Sequence, residues 1–192
     1  MSFHNIKNII AEQDDKGKVH LAAVCGTYCG ACPAYIAKNG EDSRTKMKRP
    51  KRLSSGPMKA LKTIPEPSWM DGILCDGCLS HGEIAAHCQK CSIKICAANK
   101  LNVPHCSDCE ELPCYRITDM INTGLLHRSE YLANLAKIRE MGVQKWVKYE
   151  EERWRCPRCG LAMSWYDAKC VGCGEARSER LFPLTQDDAP PV

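Results

Sequence analysis

Apolar residues recur at helical spacing in the second half of the chain. In the segment EYLANLAKIREM they occupy every third position, at Leu132, Leu135, Ile138 and Met141. Ser129 precedes this run as a potential N-cap, and Gly142 follows it as a stop signal. The pattern predicts an amphipathic helix that buries this apolar face in a core.

A second helix is predicted over residues 143–154, immediately before the last group of cysteines. Trp146, Val147 and Glu150 lie about one turn apart within it. We interpret this stripe, like the one on the preceding helix, as core packing rather than as a binding groove.

Shorter patterns predict three further helices and one strand. Helices are expected over 3–12, from Pro33 to residue 39, and over 58–64. Gly40 is expected to close the second of these helices in a left-handed conformation. The segment VHLAAV at 19–24 predicts a short strand. Because these elements are short, most of the chain must be loops.

Composition changes this picture, because 15 of the 192 residues are cysteines and only 6% are aromatic. So few large apolar side chains build only a small core. Bound metal ions would supply the missing stability, since each structural zinc contributes on the order of 10 kcal/mol. The predicted fold class is a small, metal-stabilised α+β protein, loop-rich and mostly helical, with a C-terminal zinc ribbon.

The N-terminus bears on whether the cysteines form disulfides or bind metals. MSFHNIKNIIAEQDDKGK has neither the apolar stretch nor the cleavage site of a signal peptide. No apolar run approaches the roughly 20 residues that span a bilayer. We therefore expect a cytoplasmic protein that does not contact membranes, and there dense cysteines usually bind metals.

The cysteines fall into four groups with metal-ligand spacing, and all of them are candidate ligands. They are Cys25, Cys29 and Cys32; Cys75 and Cys78; Cys88, Cys91, Cys96, Cys106, Cys109 and Cys114; and Cys156, Cys159, Cys170 and Cys173.

The last group carries the strongest signal. CPRCG at 156–160 and CVGCG at 170–174 are two knuckles whose glycines permit a tight turn, and four thiolates complete a tetrahedral shell. This spacing predicts a zinc ribbon, with rubredoxin-like iron as the alternative. A closed shell leaves no position for a substrate. Trp154, Trp165 and Tyr166 are expected to pack over the ribbon.

The middle groups contain an internal repeat. HCQKCSIKIC at 87–96 and HCSDCEELPC at 105–114 share the pattern H-C-x2-C-x4-C, which predicts two related metal half-sites. The eight cysteines from 75 to 114 complete two four-thiolate sites by themselves. Alternatively, eleven cysteines and one histidine make three sites. The candidate histidines are His81, His87 and His105.

The first group, Cys25, Cys29 and Cys32, has the C-x3-C-x2-C spacing of radical S-adenosylmethionine enzymes. Ala31 stands where those enzymes usually have an aromatic residue, and the cysteine-dense remainder leaves little room for their barrel. Zinc is the leading interpretation. The alternative is a 4Fe-4S cluster, either of the radical type or completed by a fourth cysteine with Pro33 following in ferredoxin style.

Other function classes have weaker support. The basic run at 44–52 would suit phosphates, although a solvated loop is the leading interpretation. The formal charge of +4 says little about partners, because metal-bound cysteines are thiolates. We find no phosphate-binding loop, nucleophile elbow or zinc-protease motif, so the chain is more plausibly not an enzyme.

Several motifs together resemble one family. They are CGTYCGACPAYIA, CDGC, the stretch from CQKCSIKICAANK to CSDCEELPC, and NLAKIREMGVQKWVKYEEERWRCPRCG. They are similar to the cysteine-rich prokaryotic domain-of-unknown-function family number 3795, strongly over residues 22–114, with the long helix and ribbon as a common extension. The resemblance carries no established activity and implies metal binding through the cysteines.

The predicted domains follow from these segments. Residues 1–124 form a cysteine-rich multi-metal domain, 125–155 a helical connector, 156–182 the zinc ribbon and 183–192 a disordered tail. The predicted function is that of a non-enzymatic zinc-binding or adaptor module with a protein partner. An iron-sulfur redox or radical protein, and a nucleic-acid-binding zinc protein, are the alternatives.

Overall fold

The computed structural model describes residues 18–40, 73–100, 103–123 and 125–177. All fifteen cysteines lie in these ranges, and no disulfide joins any of them. The predicted helices over 3–12 and 58–64, the basic run and the predicted tail lie outside them. Within the described residues, no helix is both long enough and apolar enough to cross a membrane.

The described residues are mostly helical. The α-helices are α1 (Pro33–Asn39), α2 (Ala86–Gln89), α3 (Ser92–Asn99), α4 (Tyr115–Ile121), α5 (Tyr131–Met141) and α6 (Val143–Arg153). Short 3-10 helices cover Val19–Leu21, Cys29–Ala31, Cys106–Asp108 and Leu126–Arg128. Strand pairing in the described residues is limited to isolated bridges, such as the one between Ala22 and Tyr28.

The predicted strand at 19–24 is therefore wrong. Val19–Leu21 forms a 3-10 turn instead, and its valine and leucine are buried. The chain then turns through Gly26, whose φ of 84° suits a residue without Cβ. A run of alternating apolar residues cannot distinguish a strand from a tight turn that buries the same side chains.

Helix α1 begins at Pro33, as predicted, but its end differs from the prediction. Gly40 has φ −54° rather than a left-handed conformation. Its N–H still closes the helix by donating to the carbonyl of Ile36 at 2.9 Å. A glycine is thus not needed here for its conformational freedom.

Helix α5 confirms the predicted helix with a shifted register. It begins at Tyr131 without a side-chain cap, so the predicted N-cap at Ser129 is wrong. Leu135 and Ile138 are buried as predicted, whereas Leu132 is 36% exposed. The buried face consists of Tyr131, Asn134, Leu135 and Ile138.

This register gives a matched pair of substitutions. Leu135→Ala removes a fully buried side chain from the main core, and should cost about 2–5 kcal/mol of unfolding free energy. Leu132→Ala should cost about 1 kcal/mol or less because that side chain reaches solvent. Denaturant unfolding of the metal-loaded chain measures both. Equal losses would contradict the register.

Helix α6 supplies the centre of the main core. Trp146 and Val147 are buried on it, as the pattern predicted, and Tyr28 meets the Trp146 ring edge-on with centroids 6.2 Å apart. The same core includes Trp154 and Trp165. These tryptophans thus join the C-terminal segment to the N-terminal cysteine region. We call residues 156–177, which carry the last four cysteines, the ribbon, after the element that the sequence predicts there.

Candidate metal centres

The four C-terminal cysteines converge on one point. The Sγ atoms of Cys156, Cys159, Cys170 and Cys173 all lie within 4.8 Å of one another. Two of the Sγ–Sγ distances, Cys156 to Cys173 and Cys159 to Cys170, are 3.6 and 3.5 Å. A tetrahedral ion with sulfur ligands at about 2.3 Å holds its sulfurs about 3.8 Å apart. This group can therefore hold a single metal ion.

Two equivalent turns produce this convergence. In each, the N–H of the first cysteine donates to the carbonyl five residues later at 2.8 Å, for Cys156 and for Cys170. The N–H of the glycine after the second cysteine donates back to the first cysteine's carbonyl at 2.9 Å. Gly160 and Gly174 have φ of 71° and 76°, which a side chain would strain.

The turns also aim backbone N–H groups at sulfur. Burial opposes ionisation of the Cys156 thiol, but the N–H groups of Cys159 and Arg158, together with hydrogen bonds from the neighbouring thiols, outweigh it and lower the pKa of Cys156 to about 7. The N–H of Leu161 favours ionisation of Cys159 as well, but the contacts with the other thiols outweigh it and raise the pKa of Cys159 to about 12. Because a metal binds the thiolate, a turn that favours ionisation also favours metal binding.

Seven other thiols line one partly open cavity of about 220 Å³. They come from three separate parts of the sequence, and three of them are the C-x3-C-x2-C group. The lining cysteines are Cys25, Cys29, Cys32, Cys75, Cys78, Cys88 and Cys91. The first group, which lacked a fourth ligand in the sequence, is thus adjacent to four candidates. We call this space the seven-cysteine cavity.

The thiols of this cavity do not converge as those of the ribbon do. Among the residues that the structure describes, no other group of three or more His, Cys, Asp or Glu side chains brings its ligand atoms within 4.8 Å of one another. The cavity volume of about 220 Å³ also far exceeds the roughly 10–15 Å³ that one water molecule needs. Seven thiols are more than the four that complete a shell around one zinc ion, so the cavity has room and ligands for more than one metal atom.

Hydrogen-bond donors reach several sulfurs of the cavity. The N–H of Cys78 donates to Cys29 Sγ at 3.4 Å, which ties together two segments 49 residues apart. The hydroxyl of Thr27 lies 3.3 Å from Cys25 Sγ. Such contacts hold sulfur ligands in position and stabilise their negative charge.

Without a metal, ionised thiols are costly in this cavity. Burial, followed by the proximity of Cys78 and Cys32, raises the pKa of Cys29 well above its ordinary value. Burial likewise raises the pKa of Cys78 to about 12, although the ammonium of Lys94 opposes it. A bound cation would reverse this balance, because it stabilises the thiolates that burial disfavours.

Lys94 is a part of the site that the sequence analysis missed. It is 3% exposed, and its Nζ donates to the carbonyl of Cys78 at 2.9 Å. A buried ammonium needs compensating negative charge. Its position between Cys91 and Cys96 in the sequence was the available signal, since a lysine within a cysteine cluster often balances thiolate charge.

Aromatic side chains close one side of the seven-cysteine cavity. His127 and Trp165 both line it, and their rings stack with centroids 4.2 Å apart. His127 Nδ1 lies 2.7 Å from the hydroxyl of Tyr166. Burial lowers the pKa of His127 to about 3, so this imidazole is neutral at physiological pH.

Trp165 comes from the loop between the two ribbon knuckles. Its backbone N–H donates to the carbonyl of Ala31, next to Cys32, at 3.2 Å. The sequence predicted that Trp154, Trp165 and Tyr166 pack over the ribbon, and Trp154 does contact it, because the guanidinium of Arg177 lies 4.5 Å from the centre of its indole ring. All three pack against the main core, and Trp165 covers the other cysteines.

The three candidate histidines have different surroundings. His87 lines the seven-cysteine cavity. His105 is buried, and its Nε2 lies 3.2 Å from the carbonyl of Ala22, so this nitrogen carries the proton and donates. His81 is exposed and is not part of the cavity lining. His87 is therefore the histidine best placed beside the thiols.

The two copies of the sequence repeat are not structurally equivalent. Cys88 and Cys91 of the first copy line the seven-cysteine cavity, whereas Cys96 faces a second, smaller cavity. The thiols of the second copy, Cys106, Cys109 and Cys114, line that smaller cavity as well. The repeat therefore does not correspond to two half-sites of one kind.

One comparison with known proteins finds a match over the cysteine-rich part of the chain. No curated protein and no solved structure matches the chain. A protein-family comparison matches residues 21–119, which include every cysteine outside the ribbon, to the family DUF3795, described as a protein of unknown function. Since the match spans more than half of the sequence and confirms the resemblance of its cysteine motifs, the chain belongs to the DUF3795 family.

Proposed function

We propose that this protein is an iron-sulfur redox protein whose cluster occupies the seven-cysteine cavity. The observation that carries the proposal is the arrangement of seven thiols around one cavity of about 220 Å³. A 4Fe-4S cluster takes four cysteine thiolates, one at each iron. Cys25, Cys29 and Cys32 would supply three, and the fourth would come from the segments at 75–78 or 88–91.

The chain's own residues suit such a cluster. Ile93, Met120 and Trp165 give the cavity apolar walls, which keep water from the metal. The N–H of Cys78 and the hydroxyl of Thr27 stabilise sulfur charge. When bound, an iron-sulfur cluster accepts and donates single electrons, with a potential set by such contacts and by burial.

The ribbon would hold zinc with a structural role. Its four sulfurs stand at the separations of a closed tetrahedral shell, and no position remains for a substrate. Through Trp165, a folded ribbon would also shield the cluster from solvent. Zinc and iron would thus have separate places in one chain.

Metal analysis of the full chain tests the proposal. Protein purified without oxygen should be brown and should contain about four irons and four acid-labile sulfides per chain. It should give an electron paramagnetic resonance signal on reduction. Cys32→Ser, at one of the three named ligands, should lower the iron and sulfide content and leave zinc unchanged. Lys90→Ser, at an exposed position next to the cavity-lining Cys91, should change neither.

A reciprocal variant separates the two metals. Cys159→Ser in the ribbon should lower zinc by one ion per chain while freshly purified protein keeps its iron. Colourless anaerobic protein that contains zinc but neither iron nor sulfide would refute the iron-sulfur proposal.

A zinc-only binding module is the second candidate, and the convergence of the ribbon sulfurs favours it. In this case the seven-cysteine cavity would hold several zinc ions, with His87 available as an eighth ligand. The protein would then act as an adaptor for a protein partner. The same metal analysis distinguishes the candidates, since only one predicts sulfide.

A further inference from the structure

We propose that the second, smaller cavity is a separate site for a single divalent metal ion. Four thiols line it, and none of them lines the seven-cysteine cavity. They are Cys96, Cys106, Cys109 and Cys114. With the seven thiols of the larger cavity and the four of the ribbon, this assignment gives every cysteine of the chain a place.

The number of thiols favours a single ion in this cavity. The cavity is smaller than the seven-cysteine cavity, about 50 Å³ against about 220 Å³, and it is lined by four thiols rather than seven. Four thiolates are the complete ligand set of a structural zinc site. The chemistry therefore fits zinc or another soft divalent ion.

Three elements bring the four thiols together. Cys96 lies on α3, Cys114 is the N-cap of α4, and the short 3-10 helix at Cys106–Asp108 supplies the other two between them. The sulfurs stand further apart than those of the ribbon. Binding would therefore draw the side chains inward and fix α3 against α4.

A lysine donates a hydrogen bond to one of the four thiols. Lys100 Nζ donates to Cys109 Sγ at 3.3 Å and pairs with Glu111 Oε1 at 2.7 Å. Four thiolates around a divalent ion leave two negative charges. The ammonium of Lys100 offsets one of them, which is the usual role of a cation placed beside a metal-bound cysteine.

Alkylation of the unaltered full chain tests the site without any substitution. Cys96, Cys109 and Cys114 are partly exposed, so iodoacetamide should modify them readily in metal-free protein. In zinc-loaded protein all three should be protected, and a chelator should restore their reactivity together. Equal rates of modification with and without zinc would overturn the assignment.

A single substitution then tests how many zinc ions this site holds. Cys109→Ser should contain one zinc fewer per chain than the wild type, whereas Glu110→Ser, at the exposed neighbouring position, should keep all of it. Iron should be unchanged in both. An unchanged zinc content, or loss of iron together with zinc, would overturn the proposal of a separate site.

The outcome is independent of the iron-sulfur proposal. If the seven-cysteine cavity proves to contain only zinc, Cys109→Ser should still lower the zinc content by one ion. Conversely, a protein with the expected iron but no zinc loss in Cys109→Ser would overturn this site and leave the cluster proposal standing.

Discussion

Replacing Cys170 with serine is expected to remove one zinc ion per chain and to unfold the ribbon. Cys170 is 2% exposed, and among the residues that the structure describes the local core around it contains only Cys156, Leu161 and Met163 as further buried residues. So small a core cannot hold the two turns without the metal. Because binding of a structural zinc contributes on the order of 10 kcal/mol, its loss exceeds what these apolar contacts supply.

Val171→Ser is the matched control. It introduces the same residue into the same turn, but Val171 is 37% exposed and is not a candidate ligand. Zinc content by atomic emission and unfolding in zinc-buffered solution should both be close to the wild-type values. A Cys170→Ser protein with wild-type zinc and an unchanged unfolding midpoint would show that the ribbon does not depend on this ligand.

Unfolding of the ribbon should also open the seven-cysteine cavity to water. Trp165, between the two knuckles, stacks on His127 and donates its backbone N–H to Ala31. If the ribbon unfolds, this wall opens and water enters beside the thiols. In the Cys170→Ser protein, bound iron should therefore be lost faster in air than in the wild type, as followed by the decay of cluster absorbance.

The elements set by local sequence were the predictable part of this fold. Pro33 marked the start of α1, the stripe of Trp146, Val147 and Glu150 marked α6, and two C-x2-C-G turns marked the four ribbon thiols. In each case the physical cause lies within a few residues: a fixed φ, a helical repeat, or a glycine with positive φ. Such causes can be read without knowledge of the tertiary structure.

The grouping of the remaining thiols could not be predicted, because it depends on contacts between distant segments. Cys29 meets Cys78 across 49 residues, and the first copy of the repeat contributes to both cavities. Identical spacing gives different backbones in the two copies, since each packs against different neighbours. Sequence spacing identifies ligands, whereas only the packing of helices decides which ligands share a site.

The buried face of α5 was also predicted incompletely, because it too depends on contacts with a distant segment. Leu132 fits the apolar stripe of α5 but faces solvent, because Tyr131 and Asn134 take the buried positions. Asn134 is stable in this buried position because its side-chain amide donates to the carbonyl of Gly26 at 3.0 Å. A polar residue that satisfies a buried backbone group can replace an apolar one in a core, and hydrophobic periodicity alone does not reveal this.

Replacing Arg153 with methionine is expected to cost about 3–5 kcal/mol of unfolding free energy, because it leaves a buried carboxylate without its cation. Glu150 is 1% exposed, and Arg153 Nη1 lies 3.2 Å from both of its oxygens. The guanidinium also binds Glu130 at 2.6 and 2.9 Å, next to the first residue of α5. One side chain thus connects the start of α5 to the end of α6.

Arg155→Met is the control, since Arg155 makes an ion pair of similar length, 2.8 Å, with the more exposed Glu151. Partly exposed pairs contribute about 1 kcal/mol or less, so this variant should remain near the wild type. Denaturant unfolding of the metal-loaded proteins gives both values. Similar losses for Arg153→Met and Arg155→Met would contradict the importance of burial.

The deficit of Arg153→Met should shrink as the pH falls. Burial raises the pKa of Glu150 above its ordinary 4.5, while Arg153 and the indole N–H of Trp154 oppose the rise. Without Arg153 the folded-state pKa rises further, so the folded chain binds a proton more tightly than the unfolded chain. Stability is then gained as the pH falls through the folded-state pKa towards 4.5.

The difference from the wild type, measured at each pH, isolates this effect from acid-induced metal release, which both proteins share. Adding Glu150→Gln to Arg153→Met removes the buried charge and should make the deficit both smaller and independent of pH. A deficit in Arg153→Met that stays constant from neutral to mildly acidic pH would mean that lost packing, and not the uncompensated carboxylate of Glu150, is the cause. That result would assign the guanidinium the role of a spacer between α5 and α6, over the Trp154 ring that it covers at 5.2 Å.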